Sequence, residues 1–129
     1  MASLVVNTGL ANATAAWHAY ASRARFLGWG SGSGQGATAT DLATAENESR
    51  TTGTTAQATT NTTDDSYRIT GTITATGTRA ITEVGVFDAA GSGNPPSGGA
   101  LAVYGDFSVI NLASGDSIAF EVTVVLDQA

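Results

Sequence analysis

The sequence predicts a mainly β protein, an antiparallel β-sandwich with jelly-roll-like character preceded by one N-terminal α-helix. Three observations lead there. SYRITGTITAT (66–76) and DSIAFEVTVVL (116–126) alternate inward and outward residues with period two, the signature of half-buried antiparallel strands. Only the alanine-rich NTGLANATAAWHAYASRAR (7–25) has helical spacing. AAGSGNPPSGGA (89–100) punctuates the strand-like half with glycine and proline, as a loop does. A chain of 129 residues, 42% hydrophobic, is one domain (1–129) with room for a single core.

Taken in order, a short apolar start (Leu4 to Val6) leads into a helix expected over about 8–23, which Asn7 or Thr8 can cap. Leu10, Thr14, Trp17 and Ala21 form its packing stripe, with Trp17 as anchor. The sandwich is expected over about 25–126. RFLGWGSGSGQGATATDLATAENESR (25–50) begins as an apolar strand and dissolves into alternating glycine and serine.

RTTGTTAQATTNTTDD (50–65) is β-prone through its threonines but has no large apolar side chain. It suits an edge strand, or an arm pairing with a neighbouring chain. In 66–76 the inward face is Tyr67, Ile69, Ile73 and Ala75. AITEVGVFDA (80–89) and LAVYGDFSVI (101–110) supply two further strands. Ser114-Gly115-Asp116 reads as a hairpin turn into a last strand whose shared face is Ile118, Phe120, Val122, Val124 and Leu126.

Little in the chain looks like chemistry. GWGSGSGQG lacks the G-x-G-x-x-G spacing of a dinucleotide loop, and without any lysine the chain cannot form a P-loop. Its glycines read as structural, allowing a turn and close packing at a strand end. His18, the one histidine, has no nucleophile motif around it and reads as a surface helix residue. Glu83 and Asp106 are the one carboxylate pair that could converge for glycoside hydrolysis. Asp64, Asp65 and Asp116 occupy turn positions, where aspartate bonds locally, and no D-x-D-x-D-G loop supports calcium. The sequons at Asn12, Asn47 and Asn61 read as by-products of a threonine-rich composition. The expected site residues are therefore none: no catalytic, cofactor or metal set.

Charge and composition exclude more. Eleven acidic residues face 5 basic ones, all arginine, and the net charge of −6 disfavours nucleic acid and anionic membranes as partners. With no cysteine there is neither disulfide nor thiolate chemistry. The start MASLVVNTGL lacks the basic and long apolar regions of a secretory signal. No apolar run approaches the roughly 18 residues of a membrane span, so a soluble protein is expected.

From about Asn7 to Leu126 the order of landmarks resembles a group of small tailed-bacteriophage virion structural proteins. An NTGLAN helix, FLGWGSGSG followed by TDL, a TTAQATTNTTDDSYRITGTITATG strand pair, AITEVGVFDA and a closing NLASGDSIAFEVTVVL carry the likeness. Gly28-Trp29-Gly30, the run Thr82 to Asp88, and Leu112 with Ser114-Gly115-Asp116 are its most characteristic pieces. Such proteins are described as capsid cement or decoration proteins and as tail-fibre or baseplate components. The resemblance implies a virion part and transfers no active site. The expectation is a non-enzymatic cement protein, made in the host cytoplasm. It would act as a homotrimer on the outer capsid surface, with the major capsid protein as partner. The alternatives are a tail-fibre or baseplate module binding a host surface or tail partner, and a glycoside-acting enzyme using Glu83 and Asp106.

Overall fold

The computed structural model describes residues 3–4, 6–19 and 24–126. One helix, α1 (Asn7–Ala19), precedes seven strands: β1 (Phe26–Gly30), β2 (Thr51–Thr52), β3 (Thr54–Ala58), β4 (Ser66–Thr74), β5 (Arg79–Phe87), β6 (Leu101–Leu112) and β7 (Ser117–Val125). They form two antiparallel sheets, one ordered β2-β1-β5-β6 and the other β3-β4-β7. The protein is a β-sandwich with one helix, as its sequence predicts.

The winding follows from one long ribbon. β5 pairs with β6 and β4 with β7, so β4–β5 and β6–β7 are the two arms of a hairpin whose tip is the glycine- and proline-rich loop 88–100. The ribbon folds over between the pairs Thr74↔Ser117 and Arg79↔Leu112. Residues 75–78 and 113–116 turn that corner together, so the two arms stay in step across it. The Ala75 N–H donates to the Asp116 carbonyl and the Gly115 N–H to the Ala75 carbonyl, each at 2.8 Å. Gly115 has φ +93°, where a side chain would be strained. An antiparallel ribbon folded onto itself is the jelly-roll manner of winding. The turn at 114–116 thus exists, but the expected hairpin does not: β6 and β7 lie in different sheets. Turn chemistry is local, whereas the choice of pairing partner is not.

The threonine-rich segment is an edge strand, and it serves both sheets. β2 ends sheet one beside β1, and β3 ends sheet two beside β4. Only Gly53 separates them. Its N–H donates to the Arg25 carbonyl at 2.6 Å, and a Cβ there would lie 2.5 Å from an Ile69 methyl. Glycine lets the chain cross between sheets against the core.

The core lies between the sheets and is built from Leu27 and Trp29 of β1, Tyr67, Ile69 and Ile73 of β4, and Ile81, Val84 and Val86 of β5. The inward face expected for 66–76 is buried throughout. Helix α1 docks on the inner side of sheet two at the Tyr67 end, through buried Leu10 and Thr14. The Thr14 hydroxyl donates to the Asp64 carbonyl at 2.6 Å, and the Gln57 amide donates to Thr14 Oγ1 at 2.9 Å. Ala21, the last member of the expected stripe, lies outside the described residues.

Trp17 is not the core anchor. It is 40% exposed and meets Tyr67 edge-on at 5.2 Å, whereas Trp29 is 1% exposed and donates its indole N–H to Glu48 Oε2 at 3.0 Å. Trp29→Ala should therefore cost about 3–5 kcal/mol of stability, and Trp17→Ala clearly less. Urea denaturation of both variants checks this order. Equal losses would contradict the core assignment.

Candidate functional site

The glycine-rich loop after β1 does cradle an anion, and the anion is the protein's own. Glu83 on β5 is fully buried. Its Oε2 accepts the Gly32 and Thr44 N–H groups, each at 2.9 Å, and its Oε1 accepts the Ala43 N–H at 2.8 Å. The Thr82 hydroxyl adds a 2.6 Å bond to the Gly32 carbonyl, and the Ser31 N–H reaches the Thr44 carbonyl at 2.9 Å. Glycine is required because the approach is so close. A Cβ on Gly30 would stand 2.3 Å from the Thr44 carbonyl oxygen, and one on Gly32 would stand 2.6 Å from the Ala43 Cβ. A buried carboxylate is tolerable only when its oxygens are met by donors.

Glu83 and Asp106 are direct cross-strand partners, so the carboxylates singled out as a hydrolytic pair do come together. They face the loop and not a cleft. Asp106 Oδ2 accepts the Gly34 N–H at 3.0 Å, and both Glu83 oxygens are occupied. Glycoside hydrolysis needs one carboxyl to protonate a leaving group and the other to reach water or the sugar. An enclosed Glu83 reaches neither.

Two further acids do the same structural work. Glu48 joins the loop 31–50 to the core and the ribbon corner. It accepts the Trp29 indole, the Thr76 N–H at 2.9 Å, the Thr76 hydroxyl at 2.8 Å and Arg79 Nε at 3.0 Å. Burial pushes its carboxyl up, but the donors from Thr76 and Trp29 prevail and bring it down to about 2. Asp65 closes the loop between β3 and β4, accepting the N–H groups of Thr60, Asn61 and Thr62 and the Ser66 hydroxyl. The Thr60 and Thr62 N–H groups hold it well below the ordinary carboxylate range against the effect of burial. This is the local bonding expected of an aspartate in a turn. Among the described residues, no three His, Cys, Asp or Glu side chains gather where they could hold a metal ion.

Arg50, Arg79 and His18 are similarly engaged. The Arg50 guanidinium stacks 3.5 Å over the Phe87 ring and donates to the Ala89 and Gly98 carbonyls at 3.0 and 2.7 Å, which ties loop 31–50 to loop 88–100. Arg79 pairs with Glu46 and Glu48. His18 Nδ1 lies 2.9 Å from the Thr55 hydroxyl and joins the helix to β3. Arg68 stands on the outer face of sheet two beside Ala56 and Thr123. Arg23 lies outside the described residues.

What the fold leaves unused is a surface. β6 and β7 end their sheets, and the apolar interior opens between them. Phe107 and Phe120, whose rings touch across the gap at 6.2 Å, are only partly buried, as are Val103, Ile118, Val122 and Val124. The last-strand face expected in the core is therefore a core face with one side missing. Near its helix end, Trp17, Tyr67, Val124 and Leu126 line an apolar cavity of about 160 Å³. The alternation of 116–126 predicts the inward residues but not that their cover is absent.

Four variants and a pH series test these assignments. Gly30→Ala should destabilise markedly, while Gly36→Ala, whose Cβ would meet nothing within 4 Å, should not. Glu83→Gln should cost about 2 kcal/mol or more, because an amide NH₂ would face backbone donors. For Glu48 the folded carboxyl titrates near 2 against an ordinary 4.5. Its contribution is present above pH 4.5 and is lost as pH falls toward 2. The urea midpoint of the wild type should drop across that window, and Glu48→Gln should flatten part of the drop. A variant slope as steep as the wild type's would refute the assignment. Comparison with family models, with curated proteins and with solved structures finds no match to this chain, so the geometry and the landmark residues alone carry the functional reading.

Proposed function

We propose that the chain is a bacteriophage capsid cement or decoration protein, which binds the outer capsid surface and stabilises the shell. The observation that carries this reading is the contrast between occupied chemistry and an unoccupied surface. Glu48, Asp65 and Glu83 are consumed in holding loops, while the β6–β7 side keeps a partly buried apolar face. Such a chain is equipped to join an assembly. The landmark residues from Asn7 to Leu126 point to virion structural proteins, and a net charge of −6 suits an outer surface better than a DNA-filled interior.

The mechanism is mass action. A protein that binds the assembled shell and not its separated subunits stabilises the shell in proportion to occupancy. Each copy bridging adjacent major capsid proteins adds a modest term, and many copies add up. We place homotrimer contacts on the β2–β3 edge. Residues 51–63 carry no charge, so copies of an acidic chain can approach one another there. No contact with nucleic acid or membrane enters this reading. Among the described residues, no helix is long and apolar enough to cross a membrane.

Heads lacking the protein should release DNA at lower temperature or under milder osmotic shock, and purified protein should restore resistance, saturating at a symmetric number of sites. The comparison is made between bare and re-decorated heads at equal salt. If re-decoration changes nothing, the cement reading fails. If the protein is found only at the tail, the tail-fibre or baseplate module replaces it.

A further inference from the structure

We infer that the open β6–β7 side takes an extended segment of a partner protein, added as a strand along β7, in which apolar residues alternate with lysine or arginine. This deepens the decoration reading by naming the binding surface, and rests on that reading only for which protein supplies the segment.

Three features point to this occupant. The first is the backbone. β7 spans nine residues at the end of its sheet, with pairing on the β4 side only. Neither β6 nor β7 contains proline, lysine or arginine, the residues that commonly blunt an edge. The second is the pattern. Exposure along β7 alternates strictly, with Ile118, Phe120, Val122 and Val124 half-buried and the residues between them exposed. A strand paired beside it would lay alternate side chains against Phe120 and Val122, and project the others onto the outer face beside Glu121.

The third feature is charge, which separates a foreign partner from a second copy. No basic residue follows Arg79, and the charged residues of β6, β7 and the turn between them are Asp106, Asp116 and Glu121. A second copy bringing its own β7 edge would set Glu121 against like charge. Of its described cations, Arg50 and Arg79 are bound within the fold, and Arg68 lies one strand in from the β7 edge, beside Thr123, so a second copy would bring its Glu121 to the seam before its Arg68. A segment bearing lysine or arginine instead gains a cross-strand partner in Glu121, and the acidic rim rejects acidic competitors.

The test uses the isolated full chain and synthetic peptides of about nine residues, the length of β7. One alternates valine with lysine, one valine with glutamate, one serine with lysine, and one interrupts the valine-lysine repeat with proline. Binding is followed by NMR, together with exchange of the β7 amides. The valine-lysine peptide should bind saturably and slow exchange along 117–125. The other three should bind at least about fivefold more weakly, as expected when a cross-strand contact or the added strand is lost. Glu121→Lys, at an exposed position, should move the preference to the valine-glutamate peptide, and Glu121→Gln should reduce it. No saturable binding, equal binding of the acidic, serine-lysine or proline peptide, or an unchanged preference in Glu121→Lys would overturn the inference. So would protection of the β7 amides by self-association as concentration rises. Because no capsid is present, failure here leaves the cement reading to the head-stability experiment.

Discussion

The structure turns on a buried negative charge that has to be solvated by backbone. Glu83 sits in the middle of a central strand with no access to water, and three N–H groups from the loop after β1 replace its hydration. An uncompensated carboxylate at such a site would be neutralised or would unfold its surroundings. The requirement sets the path of the loop: residues 32 and 43–44 must converge on one point. Gly30 and Gly32 are what allow that convergence, since side chains there would collide with the Thr44 carbonyl or Ala43. Leu42 is then carried over Gly85, and Arg50 over Phe87, so a segment without regular strands becomes the outer cover of sheet one.

The same device recurs at Glu48 and Asp65, and it divides the acids of the chain into two groups. The inner three stabilise loops through charge-assisted hydrogen bonds, which are stronger than neutral ones. The outer ones include Asp116 and Glu121, and Arg68 of β4 shares the outer face of sheet two with Glu121. That division links fold to function. Glu48, Asp65 and Glu83 are taken up in holding loops, and the β6–β7 side keeps a partly buried apolar face.

Much of the architecture was legible in the sequence because period-two patterning is a local record of which face is buried. Tyr67, Ile69, Ile73 and Ala75 are buried as their spacing predicts, loop 89–100 is a loop, and the turn at Ser114-Gly115-Asp116 is a turn. What escaped is non-local. The pairing of β7 with β4 across the sandwich cannot be read from the turn before β7. Trp29 hid in a glycine run that shows only Leu27 as its alternating partner, while Trp17 stood on an obvious helix. The convergence of Glu83 and Asp106 was foreseeable as a pair, but its purpose depends on loop 31–45, which has no periodicity. The half-exposure of Phe120 and Val122 depends on where a sheet ends, and a strand's own pattern does not encode that.

Backbone donors from the glycine-rich loop hold the Glu83 carboxylate and thereby order the loop. Residue-resolved amide hydrogen exchange tests it most directly. The Gly32, Ala43 and Thr44 amides should exchange as slowly as those of the β5 strand that carries Glu83, although they lie in a segment without regular strands. Exchange of these three amides at the rate of an open loop, with β5 still protected, would contradict it.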